Sequence, residues 1–166
     1  MSAETEFYLG AKASNVELEL YEISHPNFSQ VYRTQRQVKS GVTVTLETGE
    51  EAAFDYVPMA MTEAAVTGDL DYKVQIDFGD LGEILPLEYD RVAAADGFGV
   101  KPVLVLRVYR SDVLTAPMIG PLRLQIDAFT GKGEGTSFAA GAPSLNVNKT
   151  GESYTLDRFT MMRGAL

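Results

Sequence analysis

Apolar and polar residues alternate with a period of two through most of this chain, which leaves little room for a helical fold. In Asn15–Ser24 (NVELELYEIS), Val16, Leu18 and Leu20 alternate with Glu17, Glu19 and Tyr21, the pattern of a half-buried strand. His25-Pro26-Asn27 ends it, because proline cannot donate to a ladder. Val42–Leu46 (VTVTL) is β-branched, Glu47-Thr48-Gly49-Glu50 supplies a turn, and Ala53–Met61 returns. The three together predict a hairpin with Glu47, Glu50 and Glu51 at its tip. Pro58 sets the return strand at a sheet edge or marks its end. Tyr72–Phe78 and Leu122–Phe129 alternate in the same way, Thr136–Ala140 follows a glycine-rich turn, and Ala142–Asn148 is a candidate last strand. Val103–Arg110 (VLVLRVYR) is too apolar for an exposed edge and reads as a central strand. Tyr32–Lys39 is polar and basic and reads as a surface stretch or an edge strand.

One helical segment interrupts the strands. Asp80 with Glu83 resembles a capping box, Leu81, Ile84 and Leu85 have helical spacing, and Leu87–Ala95 are good helix formers. Pro86 predicts a short first turn and a second beginning near it. Asp96-Gly97-Phe98-Gly99 ends the segment, with glycine suited to a left-handed residue. At 166 residues the chain is one domain's worth. The fold expected is mainly β with one short helix (α+β), an antiparallel sandwich or split barrel over residues 1–153. Polar Asn146–Ser153 sets off Tyr154–Leu166 as a C-terminal arm. So many short strands leave edges, and edges invite pairing with neighbours.

Composition narrows the chemistry. Cysteine is absent and His25 is the one histidine, which excludes thiol nucleophiles, cysteine-ligated metals and a two-histidine site within one chain. The net charge of −9 repels phosphate backbones and anionic lipid, so neither nucleic-acid recognition nor membrane binding is expected. No apolar run reaches the ~20 residues of a membrane span. The N-terminal MSAETEFYLG lacks a basic and apolar export signal, so an intracellular or assembled-particle protein is expected.

No catalytic constellation, cofactor site or metal site emerges. His25 has no nucleophile elbow to serve and reads as a surface or capping residue. The acidic pairs Glu17/Glu19, Glu50/Glu51, Asp69/Asp71 and Asp77/Asp80 read as solvated faces. The GKGEG run at Gly131–Gly135 lacks phosphate-loop spacing and reads as a hairpin turn. Arg33, Arg36 and Lys39 form a basic cluster without interleaved aromatics, so they suit one side of a subunit contact better than a single-strand groove. In the arm, Tyr154 and Phe159 are aromatic anchors, Arg158 is a fork-shaped donor, and Met161 and Met162 are adaptable, the residue types that carry interface energy.

The order of segments carries more than any single residue. A strand ends in SHPNF (Ser24–Phe28), and AFDYVPMAM (Ala53–Met61), YKVQIDFGDLGEIL (Tyr72–Leu85), VLVLRVYRSD (Val103–Asp112), GPLRLQIDAFT (Gly120–Thr130) and ESYTLDRFTMMRGAL (Glu152–Leu166) follow. This order, from about Leu20 onward, resembles a family of small minor tail or tail-tip proteins of long-tailed bacteriophages, catalogued chiefly as a domain of unknown function. The most specific motifs are Ile76-Asp77-Phe78 with Asp80, and the closing Tyr154, Thr155, Arg158 and Phe159. The chain departs from the family at Leu156, where a proline is common, and at Thr160-Met161-Met162, where the family ends in P-G-L.

The resemblance implies a tail-tube-like fold and a structural role in the virion tail, assembled in the host cytoplasm. It implies a ring joining the tail tube to the distal hub or fibre assembly. Its partners would be further copies of itself (a hexamer in preference to a trimer) and the tube, hub and tape-measure proteins. Tail DNA passes through such a lumen, so Glu47, Glu50 and Glu51 are candidates to line it. The competing class is a carbohydrate- or receptor-binding β-sandwich that uses tyrosines as sugar platforms.

Overall fold

The computed structural model describes residues 3–9, 15–63, 73–79, 84–132 and 135–142. A short helix α1 (Ala3–Leu9) precedes the strands β1 (Glu17–Ser24), β2 (Tyr32–Gln35), β3 (Val42–Thr45), β4 (Glu51–Tyr56), β5 (Met59–Glu63) and β6 (Lys73–Phe78). Helix α2 (Ile84–Ala94) and a 3₁₀ turn at Gly97–Gly99 lead to β7 (Val103–Arg110), β8 (Ile119–Lys132) and β9 (Gly135–Gly141). The chain is mainly β, as the alternation requires, and its strands form a single mixed sheet that does not close into a barrel. Their order is β3-β4-β2-β1-β7-β8-β9-β6-β5. One pairing breaks the antiparallel expectation: β2 lies parallel to β4, with Thr34 opposite Asp55 and Gln35 opposite Tyr56.

The sheet buries both faces, and the register shows how. Leu18 lies opposite Tyr109 and Leu20 opposite Arg107, whereas Tyr21 lies opposite Leu106 and Ile23 opposite Leu104. Successive residues of a strand point to opposite faces. The first face carries Leu18, Leu20 and Tyr109 into a small core that the β3–β4 hairpin covers with Val44, Leu46, Ala52 and Phe54. The second carries Tyr21, Ile23, Leu104, Leu124, Ile126, Ile76, Phe78 and Phe138 into the larger core, which also takes Leu85 of α2. Tyr21 and Met61 approach to 3.5 Å, oxygen to sulfur, although β1 and β5 stand fourth and ninth in the sheet. The sheet therefore curls around the larger core. Burial on both faces also accounts for the continuous apolar run of β7, fifth of the nine strands.

Two local expectations are corrected. Residues 32–35 are no edge strand, because β2 lies between β1 and β4 with Tyr32, Thr34 and Gln35 buried. The fully buried Gln35 side chain serves as a turn: Gln37 N–H and Val38 N–H donate to its Oε1 at 2.7 and 2.8 Å, and its Nε2 donates to the Val38 carbonyl. Ala53–Met61 is two strands, β4 ending at Tyr56 and β5 forming the opposite edge of the sheet, with Pro58 between them. Pro58 thus both follows the end of one strand and leads into the edge. Helix α2 starts at Ile84 with Pro86 in its first turn, where proline removes only a donor that has no intrahelical partner, and the short turn expected before it lies mostly outside the described residues. Asp80 and Glu83 lie outside the described residues, as does the candidate strand beyond Ala142. At the end of α2 the left-handed residue is Asp96 (φ +51°), while Gly97 packs closely against Asn27.

Candidate functional site

Two clusters of buried polar groups stand out, one on each side of the sheet. The first begins at Arg107, which points from β7 into the face that the β3–β4 hairpin covers. Only 4% of its side chain is exposed, so the charge must find partners. Glu47, at the start of the hairpin turn, supplies them in a fork: Arg107 Nε donates to Oε2 at 2.8 Å and Nη2 to Oε1 at 2.9 Å. Glu22 of β1 lies 3.6 Å from Arg107 Nη1 and accepts from Arg33 Nε of β2 at 3.0 Å. The Arg107 hydrogen bonds hold the Glu47 carboxyl below its ordinary value against the opposing effect of burial. Burial disfavours the Arg107 charge, yet Glu47 and Glu22 outweigh that and raise its pKa. The cluster is a strap that fastens the hairpin turn to the sheet.

Neighbouring side chains reinforce the strap. Tyr109 donates its hydroxyl to the Thr45 carbonyl at 2.7 Å, and Thr45 N–H donates to the Leu114 carbonyl at 2.8 Å. On the other face Arg36 lies 2.7 Å from Glu19 Oε2, which also accepts the Tyr21 hydroxyl at 2.5 Å. Removing Glu47 would leave Arg107 buried with Glu22 alone. We expect Glu47→Ala to cost about 2 kcal/mol of stability, measured by urea unfolding. Arg107→Met should partly restore the Glu47→Ala chain, because it removes the stranded charge. Equal and additive losses in the two single variants and the double variant would contradict the strap.

The second cluster joins α2 to the β1–β2 loop. Glu88, buried on α2, accepts from Ser29 N–H at 2.8 Å, Ser29 Oγ at 2.6 Å and Tyr32 Oη at 3.0 Å. Burial pushes the Glu88 carboxyl up, but these three donors and the more distant Arg91 outweigh it and hold it below the ordinary range. In the same loop, Asn27 N–H donates to His25 Nδ1 at 3.0 Å, and Nε2 sits 2.9 Å from the Val100 carbonyl. His25 is therefore a buried capping residue that ties the loop to the chain after the 3₁₀ turn. Both ring nitrogens are engaged.

The residues singled out from sequence fall into three groups. Arg33 and Arg36, expected to face another subunit, are paired within the chain to Glu22 and Glu19. Glu47 is bound to Arg107, while Glu50 and Glu51 are exposed beside it. Tyr154, Arg158, Phe159, Met161 and Met162 lie outside the described residues. Arg107 and Glu88 were not singled out. Arg107 interrupts the apolar run VLVLRVY, the signal that marks a charge with a buried partner, whereas Glu88 stands close to Asp90 and Arg91 in ILPLEYDRVAA and carries no such signal. Among the described residues, no group of three or more acidic, histidine or cysteine side chains could hold a metal ion.

No curated protein and no solved structure matches the chain. Residues 3–131 match the family described as Domain of unknown function (DUF1833), and the chain belongs to that family.

Proposed function

We propose that the chain is a structural subunit of a bacteriophage tail tip, one of several copies arranged as a ring between the tail tube and the distal hub or fibre assembly. The ring is a hexamer in preference to a trimer, its further partners are the tube, hub and tape-measure proteins, and it enters the virion tail in the host cytoplasm. The observation that carries this reading is how the buried polar groups are used. Arg107, Glu88, Gln35 and His25 all fasten hairpin, helix and loops to the sheet. Such fastening makes a rigid platform and leaves recognition to edges and surface, as a subunit of a repeating assembly requires. The order of segments that resembles minor tail proteins supports the same reading. Glu50 and Glu51, exposed at the hairpin tip, would face the lumen, with Glu47 behind them already neutralised by Arg107.

The competing carbohydrate-binding reading needs accessible tyrosine faces: Tyr21, Tyr32 and Tyr109 are buried, which leaves it the exposed Tyr8 and the half-buried Tyr56 and Tyr89 among the described residues. Residues 154–166 are proposed to contact the neighbouring subunit. A chain truncated after Gly151 should then unfold cooperatively like the full chain but be missing from purified tails, as read by mass spectrometry. Truncated chains found in tails at the full-length level would overturn the contact. Absence of the full-length chain from tails would overturn the function.

A further inference from the structure

The two edges of the sheet are finished differently. In the β3–β4 ladder Leu46 N–H donates to the Glu50 carbonyl, so Val44 opposite Ala52 is the next hydrogen-bonded pair and the backbone groups of Thr43 and Thr45 point outward. Thr45 spends both of these within the chain, on the Leu114 carbonyl and the Tyr109 hydroxyl. The β3 edge is thus closed at one of its two outward positions. At the other end, Gly79 N–H donates to the Pro58 carbonyl, so Ala60 opposite Asp77 and Thr62 opposite Gln75 bond to β6. Met59, Met61 and Glu63 therefore direct their backbone N–H and C=O groups away from the sheet. Among the described residues nothing pairs with them.

We infer that the outer edge of β5 pairs, antiparallel and across a two-fold axis, with the β5 edge of a second copy of this chain. Three features favour a copy over another occupant. The outward positions 59, 61 and 63 are symmetric about Met61, so a two-fold copy sets Met61 opposite Met61 and Met59 opposite position 63. Every outward backbone group then meets its counterpart. The charge is compatible: the chain carries −9, yet the MAMTE strand holds a single acidic residue. Antiparallel pairing keeps that residue away from its equivalent, whereas parallel pairing would oppose the two. Lastly, β5 has no lysine, no bulge and no proline within the strand, so apart from its terminal acidic residue little blunts the edge. The side chains of Met59 and Met61 already lie against the larger core, while Ala60 and Thr62 are exposed on the outer face. Pairing would thus extend the sheet without uncovering the core. Head-to-tail pairing of β5 with β3 is disfavoured because Thr45 is already committed. The contact is isologous and closes at two copies. It does not depend on a role in the tail.

Sedimentation of the full chain across the micromolar range tests this. Wild type should shift from monomer to dimer as concentration rises. Met61→Pro removes an outward donor without breaking a bond to β6, although it also trims a side chain that lies against the larger core, and it should remain monomeric with cooperative unfolding intact. Should that variant fold poorly, Thr62→Lys, which places a charge beside the seam on the exposed face, should shift the midpoint at least tenfold upward in concentration. Hydrogen exchange should slow at the Met61 amide as the dimer forms. A wild-type monomer throughout, a monomer whose Met61 amide is already protected by the rest of its own chain, or a dimer indifferent to both substitutions would each overturn the inference.

Discussion

Gly135→Ala should be severely destabilising. A Cβ at this position would stand 2.1 Å from the Phe78 carbonyl oxygen and 3.2 Å from its carbon. Neither atom can swing aside, because both belong to the backbone of β6, held to β9 through the pair Phe78 and Thr136. The φ of +151° adds strain for any side chain. Relief would require prising β9 from β6 beside the stacked rings of Phe78 and Phe138, whose centroids are 5.4 Å apart. We expect a loss of about 4 kcal/mol or more, at the upper end of what one substitution does. Gly49→Ala is the matched control. Gly49 also has a positive φ, +84°, but nothing lies within 4 Å of the added methyl. Its cost should be the conformational one alone, about 1 kcal/mol. Urea unfolding of the two variants would measure both, and a Gly135→Ala loss no larger than that of Gly49→Ala would contradict the close approach.

Glu88→Ala should come next, at about 3 kcal/mol, because it strands three donors that now share one buried carboxylate. Arg91 offers little compensation, being more than half exposed and 3.6 Å away. The same carboxylate sets a pH dependence. Its folded pKa lies below the ordinary 4.5, so the stability it contributes is complete above that value and is lost as pH falls through the folded value. Glu47 shifts in the same direction and adds to the slope over the same acid window. Urea unfolding from about pH 7 down to about pH 3 should therefore show a steep acid loss in wild type and a shallower one in Glu88→Gln. Identical slopes in the two chains would show that Glu88 carries no depressed pKa.

What the sequence made legible follows from the range of each signal. The alternation in β1, β6 and β8 is local and survives folding, and the doubly apolar β7 is central as its composition required. The YRTQ of β2 looked solvent-facing because its burial depends on Gln35 folding back onto Val38, which a polarity pattern reports with the wrong sign. The stretch from Ala53 to Met61 read as one strand because composition is continuous across Pro58, although its two halves stand at opposite ends of the sheet. The strap was out of reach for a different reason. Glu47 and Arg107 are 60 residues apart, and only the packing of the hairpin over β1 and β7 brings them together. Arg33 and Arg36 looked unpaired for the same cause, since their partners lie on the adjacent strand β1.

The proposal of a tail-tip ring is tested most directly by a cryo-electron microscopy reconstruction of tails from a phage that encodes this chain. Several copies should surround the tail axis at the distal end, six in preference to three, with the β3–β4 hairpin tips and their Glu50 and Glu51 directed toward the lumen. A single copy per tail, copies attached only at the periphery by one face, or tails that lack the chain altogether would contradict it.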